Sequence, residues 1–299
     1  MRLDKDKNIL IVGLGVIGGA YAKALTQKGY KVKCITKEKA DVDYALERKM
    51  ILAGYTEVSP DVVGEADIVI FALYPTVFKE WIKDYQHLFK SGALITDVCG
   101  VKSGVVREIQ SLLRDDVEFI SSHPMAGRER SGVEFSDPSV FFGANYIVTP
   151  TEKNTEEAIR LSEELGGELG FAHISRLSVE EHDEMIAFLS QLTHCIAVSL
   201  MTCMDTEGLE KYTGDSFRDL TRIAKINEKM WSELFLMNKD TLLKKMDGFI
   251  DEFKSFRNML AEENAEGMKE KMRLSTARRS AFDKPRSNPL TVMRKQNEK

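Results

Sequence analysis

A glycine-rich segment near the amino terminus constrains the fold of this chain more than any other feature. The segment Gly13-Leu14-Gly15-Val16-Ile17-Gly18 follows an apolar stretch, Asn8–Val12, and precedes a helical pattern over Ala20–Gln27. In this context the first glycine permits a tight turn, the second lets the backbone approach a pyrophosphate, and the third allows close packing of helix on sheet. The pattern predicts a dinucleotide-binding unit with the helix amino terminus facing the anion. A glycine turn with a purely structural role is the alternative.

Short β-branched stretches alternate with helical patterns in the first half of the chain. Their apolar residues are nearly continuous, as in strands that are buried on both faces. This alternation predicts an α/β fold with a doubly wound parallel sheet. The predicted strands cover Asn8–Val12, Lys31–Ile35, Ala66–Leu73, Ala93–Val98, Glu118–Ser121 and Asn145–Thr149.

Beyond Pro150 the pattern changes to long helices, with one short strand possible at Phe171–Ile174. We therefore predict three parts: a Rossmann-type nicotinamide dinucleotide-binding domain over residues 1–152, an all-helical substrate and dimerisation domain over 153–282, and a loose polar tail over 283–299. The predicted helices of the second part cover Glu156–Leu165, Val179–Met204, Phe217–Ile226, Glu228–Leu236 and Lys239–Glu262.

The charge balance and the cysteines narrow the class of partner. The chain has 299 residues, with 42 Lys and Arg against 47 Asp and Glu, a formal charge of −5. This mild acidity argues against nucleic acid as the main partner, because such proteins carry a basic domain or stripe. The four cysteines stand singly, which predicts neither a disulfide framework nor a metal site, and favours the cytoplasm.

The stretch Ile186–Met204 carries no formal charge and approaches the length of a membrane span. Its polar residues, among them Gln191 and His194, are costly in lipid, so we predict a buried helix and no membrane partner. A helix this apolar needs cover on most sides. We expect that cover from a second copy of the chain in an intertwined homodimer, and a monomer with one central helix is the alternative.

The residues after the second predicted strand bear on the choice of cofactor. NAD-selective sites usually place Asp or Glu there to bind the ribose 2′-hydroxyl. This chain instead has Thr36, with Lys37 and Lys39 close by. A hydroxyl and ammonium groups suit a 2′-phosphate, so the sequence favours NADP over NAD. A shifted register that makes Glu38 the acid, and NAD the cofactor, is the alternative.

One histidine is placed for proton transfer. In open α/β sheets the ligand lies beyond the carboxyl ends of the strands, and His123 follows the predicted strand Glu118–Ser121. Pro124 favours an extended conformation at His123, which holds it at the strand end. A neutral imidazole there can accept a proton from a hydroxyl as hydride departs. A histidine that caps a loop is the alternative.

The helical half offers two further polar groupings. Asp183, Ser190 and His194 lie on one stripe of a predicted apolar helix, which suggests a polar ligand or an internally satisfied core histidine. His182 is predicted to face solvent or to cap the helix. Arg218 and Arg222 are four residues apart on a predicted helix, which fits either a carboxylate ligand or a solvated face paired through Asp219.

Together these segments resemble the prephenate/arogenate dehydrogenase family of tyrosine biosynthesis, over about residues 7–279. The resemblance rests on five motifs: GLGVIGG (Gly13–Gly19), DVCGVK (Asp97–Lys102), HPMAGRERSG (His123–Gly132), HD-x3-A-x2-S-x3-H (His182–His194) and FRDLTRIA-x6-W (Phe217–Trp231).

The resemblance implies an oxidative decarboxylation of prephenate or arogenate with hydride transfer to NAD(P). It implies that His123 accepts the proton of the C4 hydroxyl and that Arg222 binds a substrate carboxylate. It also implies that His194 and Ser190 line the same pocket and that Trp231 supports the arginine.

One position departs from the family pattern, in which the strand-end segment D-x-x-S-x-K supplies a serine next to the catalytic histidine. This chain has Gly100 there, and Ser103 is out of register. Two other functions remain as alternatives. A β-hydroxyacid dehydrogenase would need a catalytic lysine on the first long interdomain helix, and Val179–Met204 has none. A nonenzymatic nicotinamide-binding regulator is favoured only by Gly100.

Overall fold

The computed structural model describes residues 3–127 and 130–282. Six parallel strands form its first sheet: β1 (Asn8–Val12), β2 (Lys31–Ile35), β3 (Ala53–Tyr55), β4 (Ile68–Phe71), β5 (Leu94–Asp97) and β6 (Glu118–Phe119). They are ordered β3-β2-β1-β4-β5-β6, which is the order of a doubly wound dinucleotide-binding sheet. The predicted fold class is therefore confirmed.

Both faces of this sheet are buried, because successive side chains of a strand point to opposite sides. In β1, Ile9 and Ile11 belong to one core, and Leu10 and Val12 belong to the other. This double burial is the reason for the continuous apolar stretches in the sequence. The connecting helices are α1 (Val16–Gln27), α2 (Lys39–Glu47), α3 (Pro60–Gly64), α4 (Pro75–Tyr85) and α5 (Val106–Leu112).

A second sheet, which the sequence analysis did not predict, has the order β7-β8-β9, with β7 (Ser121–Met125), β8 (Asn145–Thr149) and β9 (His173–Arg176). Strand β7 is antiparallel to β8, and β9 is parallel to it. Helix α6 (Glu156–Leu169) packs on β8 so closely that a Cβ at Gly166 would lie 2.7 Å from the ring of Tyr146. Residues 156–176 thus pack with a sheet, although the predicted domain limits assign them to the helical part. We propose that the helical part begins after residue 176.

A nearly continuous helix follows, made of α7 (Val179–Ile186), a π-helical turn (Ala187–Leu192) and α8 (Thr193–Thr202). By length and composition alone, the span Val179–Thr202 is apolar enough to cross a membrane. Only 28% of its most apolar 18-residue stretch is buried within the single chain, so the cover that we expect from a second copy of the chain stays a prediction. The remaining elements of this part are α9 (Asp215–Thr221), a 3-10 turn (Arg222–Ala224), α10 (Glu228–Met237) and α11 (Lys239–Ala261).

The chain separates into two compact units at Lys245 and Met246. The second unit contains the end of α11 and α12 (Ala265–Ser280), whose first turn is capped by the side chain of Asn264. Inside this unit, Nζ of Lys271 lies 2.9 Å from a carboxylate oxygen of Glu252. The loose tail predicted over 283–299 lies outside the described residues.

Candidate active site

The glycine-rich turn has the geometry of a nucleotide cradle. Gly13 has a φ of +98°, and a Cβ there would lie 2.5 Å from the carbonyl oxygen of Ala72. A Cβ at Gly18 would lie 2.1 Å from the carbonyl oxygen of Gly13, so neither position accepts a side chain. By contrast, within the part of the chain that the structure describes, a Cβ at Gly15 would meet no atom within 4 Å, and no side chain caps the amino terminus of α1. The turn therefore presents open backbone and a helix amino terminus, which fits a pyrophosphate.

The other residues predicted to bind the cofactor lie in the core, on the first turn of α1 and directly after β2. Leu14 is buried in the core, and Val16 and Ile17 form the half-exposed first turn of α1. Thr36 comes directly after β2, where its amide donates to the carbonyl of Tyr55 at 3.0 Å, and Lys37 next to it is exposed.

His123 lies in the middle of β7, opposite Ile147 of β8, rather than at the end of a parallel strand as predicted. β7 is an edge strand, and this position tolerates Pro124, which has no amide hydrogen to donate. The ring points toward the loop after β5. A Cβ placed on Gly100 would lie 3.8 Å from Nε2 of His123 and 3.7 Å from Cδ1 of Leu234.

A buried polar network fixes β7 to the end of β5. The Lys102 ammonium, which is fully buried, lies 3.0 Å from Oδ2 of Asp97 and donates to the carbonyl of Ser122 at 2.7 Å. The other carboxylate oxygen, Oδ1 of Asp97, accepts from the Ser121 hydroxyl at 2.6 Å. The two residues of β7 that precede His123 are thus held to the end of β5 through one ion pair.

Sequence reasoning missed His182, which is fully buried rather than solvent-facing. Its Nε2 lies 2.9 Å from Nδ1 of His123, and its Nδ1 lies 2.7 Å from Oδ1 of Asp183. The signal was present in the spacing: Val179, His182, Asp183 and Ile186 are all buried and form one face of α7, the i, i+3, i+4, i+7 pattern of a core-facing stripe.

The surroundings keep both histidines neutral. Burial, together with His182 and Lys102, holds the pKa of His123 well below its usual value near 6.5. Burial also lowers the pKa of His182, although its hydrogen bond to Asp183 acts in the opposite direction. At neutral pH, His123 is therefore an uncharged imidazole that can accept a proton.

His194 and Ser190 lie on the helical side of the site. Nδ1 of His194 donates to the carbonyl oxygen of Ser190 at 2.8 Å, and its ring packs on Trp231 with centroids 3.8 Å apart. The π-helical turn interrupts the regular stripe that was predicted from Asp183 to His194. π-turns of this kind are frequent at functional sites.

Arg222 begins the 3-10 turn after α9, so the predicted continuous helix through Arg218 and Arg222 is wrong. α9 ends at Thr221. The Arg222 side chain is exposed, on a turn that packs against α8. Arg218 bonds to Asp215 at 3.2 Å rather than to Asp219, the partner considered in the sequence analysis.

Helix α10 contacts both the surroundings of His123 and the helical side of the site at His194. Leu234 lies beside the space above Gly100 and His123, and Trp231, one turn earlier on the same helix, carries the ring of His194. Gln191 fixes this helix by donating to the carbonyl of Leu234 at 2.9 Å. A nucleotide cradle on a doubly wound sheet and a neutral histidine next to a polar helical wall define a nicotinamide-nucleotide-dependent oxidoreductase.

Comparisons with known proteins agree with this class. Residues 21–173 match the nucleotide-binding domain of prephenate dehydrogenase, and residues 178–274 match its dimerization domain. The chain is 32% identical to prephenate dehydrogenase of Bacillus subtilis over 279 residues, which covers 90% of this chain and 74% of that protein. It is 29% identical to cyclohexadienyl dehydrogenase of Zymomonas mobilis over 285 residues, 92% of this chain and 96% of that protein.

A solved structure is similar over nearly the whole chain. Prephenate dehydrogenase of Aquifex aeolicus, in complex with hydroxyphenyl propionate and NAD+, superposes with a TM-score of 0.85 at 30% identity, covering 93% of this chain and 98% of that one. The chain belongs to the prephenate dehydrogenase family and is an NAD(P)-dependent dehydrogenase.

Proposed function

We propose that this enzyme catalyses the oxidative decarboxylation of prephenate to 4-hydroxyphenylpyruvate, or of arogenate to tyrosine, in tyrosine biosynthesis. The observation that carries the proposal is the neutral ring of His123, whose Nε2 faces the space left by Gly100. The relatives named for prephenate and cyclohexadienyl substrates support the choice of substrate.

The chain's own residues account for the proton in this reaction. NAD(P), when bound in the Gly13–Gly18 cradle, supplies the acceptor for the hydride from C4 of the cyclohexadienyl ring. His123 takes the proton of the C4 hydroxyl at Nε2, because its low pKa keeps the ring unprotonated at neutral pH. As the bond between C1 and the carboxylate breaks, its electron pair enters the ring and carbon dioxide leaves. The aromatic product makes the overall step favourable.

Arg222 binds a carboxylate of the substrate in this proposal, and His194 and Ser190 form the wall beside it. The support is their placement: the turn that carries Arg222 packs on the helix that carries His194. We expect Arg222→Ala to raise KM about 10- to 100-fold, because charged hydrogen bonds contribute about 1.5–3 kcal/mol. Arg160→Ala is the control, since Arg160 is exposed on α6 and pairs only weakly with Glu164 at 3.8 Å.

We propose NADP as the preferred cofactor. Thr36 stands directly after β2, and Lys37 is exposed beside it, whereas Lys39 pairs with Asp43 one turn along α2. Thr36→Asp places a carboxylate near the 2′-phosphate, and we expect it to lower the NADP-to-NAD ratio of kcat/KM about 100-fold through charge repulsion. An unchanged ratio would contradict the assignment of this position.

We propose a homodimer formed through the helical part, in the cytoplasm. The helix Val179–Thr202 exposes large apolar side chains, among them Phe188 at 54% and Leu189 at 49%. Large apolar side chains that are exposed together on one helix favour an interface, and the matched family model is described as a dimerization domain. Phe188→Glu should give a monomer in sedimentation equilibrium, whereas Leu52→Glu, an exposed site near β3, should leave the dimer intact.

The test of the activity is a four-way assay of nicotinamide reduction. Prephenate and arogenate are each combined with NAD and NADP, and the variant His123→Asn is run beside the wild type. Turnover in one or more combinations, with loss in the variant but intact nucleotide binding, supports the proposal. Absence of nicotinamide reduction in all four combinations, from protein that binds nucleotide, would overturn the proposal and favour a nonenzymatic nicotinamide-binding regulator.

A further inference from the structure

His123 is the first of three side chains that are hydrogen-bonded in series. From its Nδ1 the series runs through the ring of His182 to the carboxylate of Asp183, with distances of 2.9 and 2.7 Å. The carboxylate is in turn held by backbone amides on the loop after β5: Lys102 donates to Oδ1 at 2.8 Å, and Ser103 donates to Oδ2 at 2.7 Å. The series therefore joins β7, α7 and the loop that carries Gly100.

The donors and acceptors in this series have one consistent arrangement. Asp183 accepts on both oxygens, and despite burial these hydrogen bonds keep its pKa low, so it is an anion that only accepts. The hydrogen between it and His182 is therefore on Nδ1 of His182. The neutral His182 ring then has a lone pair on Nε2, which requires that Nδ1 of His123 carry the hydrogen.

The outcome is that Nε2 of His123 has its lone pair free on the side of Gly100. Among the described residues, His182 is the hydrogen-bond partner of the His123 ring. Because residue 100 is a glycine, no side chain at that position orients the ring from the Nε2 side. Orientation of the ring thus depends on Nδ1.

We propose that His182 and Asp183 are positioning residues that hold His123 in the tautomer with hydrogen on Nδ1 and with Nε2 ready to accept the substrate proton. This inference deepens the proposed function and rests on it for the role of His123. Its geometry, however, can be tested without turnover. Hydrogen bonds to the remote nitrogen of a catalytic or metal-bound imidazole commonly fix tautomer and orientation.

The charged group of Lys102, which is close to His123 and His182, does not fix the tautomer of His123. Lys102 is buried close by, but its ammonium is committed to Asp97 and to the carbonyl of Ser122. Neither of these hydrogen bonds goes to an imidazole nitrogen, so Lys102 does not select a tautomer. It acts instead with burial to disfavour a second proton on His123.

Two amide variants of His182 form a matched pair. The amide of Gln reaches about as far as Nε2 of a histidine, and that of Asn only about as far as Nδ1. His182→Gln therefore keeps a partner for His123, whereas His182→Asn keeps the partner of Asp183 and loses the contact with His123. Both leave the bonds from Asp183 to the backbone amides in place. Asp183→Asn would disturb those bonds, so its effect would not separate the contact with His123 from the packing of the loop after β5.

We expect His182→Asn to lower kcat about 100-fold, with KM and nucleotide affinity within about twofold of wild type. We expect His182→Gln to recover kcat to within about tenfold of wild type. In His182→Gln the pKa of His123 should rise, because His182 contributes to lowering it, so the acid limb of the kcat/KM profile should move to higher pH. Wild-type kcat in His182→Asn, or equal losses in both variants, would overturn the proposal.

A spectroscopic measurement keeps this test separate from the activity. Nitrogen NMR of the full-length protein with 15N-labelled histidine reports which ring nitrogen carries hydrogen, and His123→Asn assigns the signal. We expect His123 with hydrogen on Nδ1 in the wild type and in His182→Gln, and a mixture of tautomers in His182→Asn. Hydrogen on Nε2 in the wild type would overturn the proposal, whatever the result of the four-way assay.

Discussion

Gly100 faces Nε2 of His123: a Cβ at residue 100 would lie 3.8 Å from that nitrogen and would clash with no atom of the described residues. Gly100→Ser should therefore fold normally and bring a hydroxyl within hydrogen-bonding reach of the ring or of the substrate hydroxyl. We expect kcat to rise about tenfold, the lower end of what one orienting bond contributes.

Gly100→Ala is the matched control, because it adds the same carbon without the hydroxyl. Its kcat should not rise. If serine and alanine lower kcat alike, the space at Gly100 is needed by the substrate or by water, and the serine position of the family has another role in this chain.

The glycines of the nucleotide cradle should separate binding from folding. Gly15→Ala adds a carbon to open space, so the melting temperature should be unchanged while the dissociation constant for NAD(P) rises about tenfold through contact with the pyrophosphate. Gly18→Ala places a carbon 2.1 Å from the carbonyl oxygen of Gly13, which should destabilise the fold by about 1–3 kcal/mol. Calorimetric titration and thermal unfolding measure the two effects, and equal thermal losses would contradict the distinction.

The buried ion pair below β7 should be important for stability. Lys102→Met leaves the carboxylate of Asp97 buried without its cation, and we expect a loss of about 3–5 kcal/mol in the free energy of unfolding. Lys39→Met breaks an exposed pair with Asp43 and should change stability by less than about 1 kcal/mol. Urea denaturation measures both, and a small effect of Lys102→Met would show that the network is dispensable.

Stability should fall on mild acidification. The pKa of His123 is lower in the folded chain than its value near 6.5 in the unfolded chain, so the unfolded state takes up the proton first. The stabilisation is complete above about pH 6.5 and is lost as pH falls toward the folded pKa, by about 1 kcal/mol between pH 6.5 and 5.5. His123→Asn should reduce this slope and leave the part that comes from His182, whose pKa burial also lowers, whereas His87→Asn, at an exposed site, should leave the slope as in the wild type. An equal slope in all three proteins would refute the assignment.

The strands of the sequence prediction were most accurate where burial is two-sided. β1, β2 and β8 begin and end at the predicted residues, because a strand covered on both faces leaves a continuous apolar stretch. β9 is exposed at every position and β7 contains serines and a proline, so neither has such a stretch. The second sheet depends on pairing between distant segments, which periodicity does not report.

Single residues and motifs of the site were predictable from the sequence, but the contacts between them were not. The cradle follows from residue type and from its position after a strand, whereas His123 was chosen on a strand-end position that it does not have, because it lies in the middle of β7. The contact between His123 and His182 joins residues 59 positions apart, and reading His182 as a capping residue overlooked its place on the buried face of α7. The regular stripe to His194 failed because a π-turn adds residues to the helix without any marker in composition.

The geometry of the site also depends on the number of residues in that π-turn. In an α-helix each residue advances the direction by about 100°, so removing one residue from Ala187–Leu192 would rotate α8 by about that amount relative to α7. His194 would then lose its contact with Trp231, although a deletion at Phe188 leaves Asp183, Ser190 and His194 in the sequence. Single-residue deletions in this turn should therefore abolish activity even at Phe188, which makes no described contact with the catalytic histidine, whereas many substitutions at the same positions should be tolerated. Among proteins that descend from this one, the length of the segment Ala187–Leu192 should thus vary less than the identity of its residues.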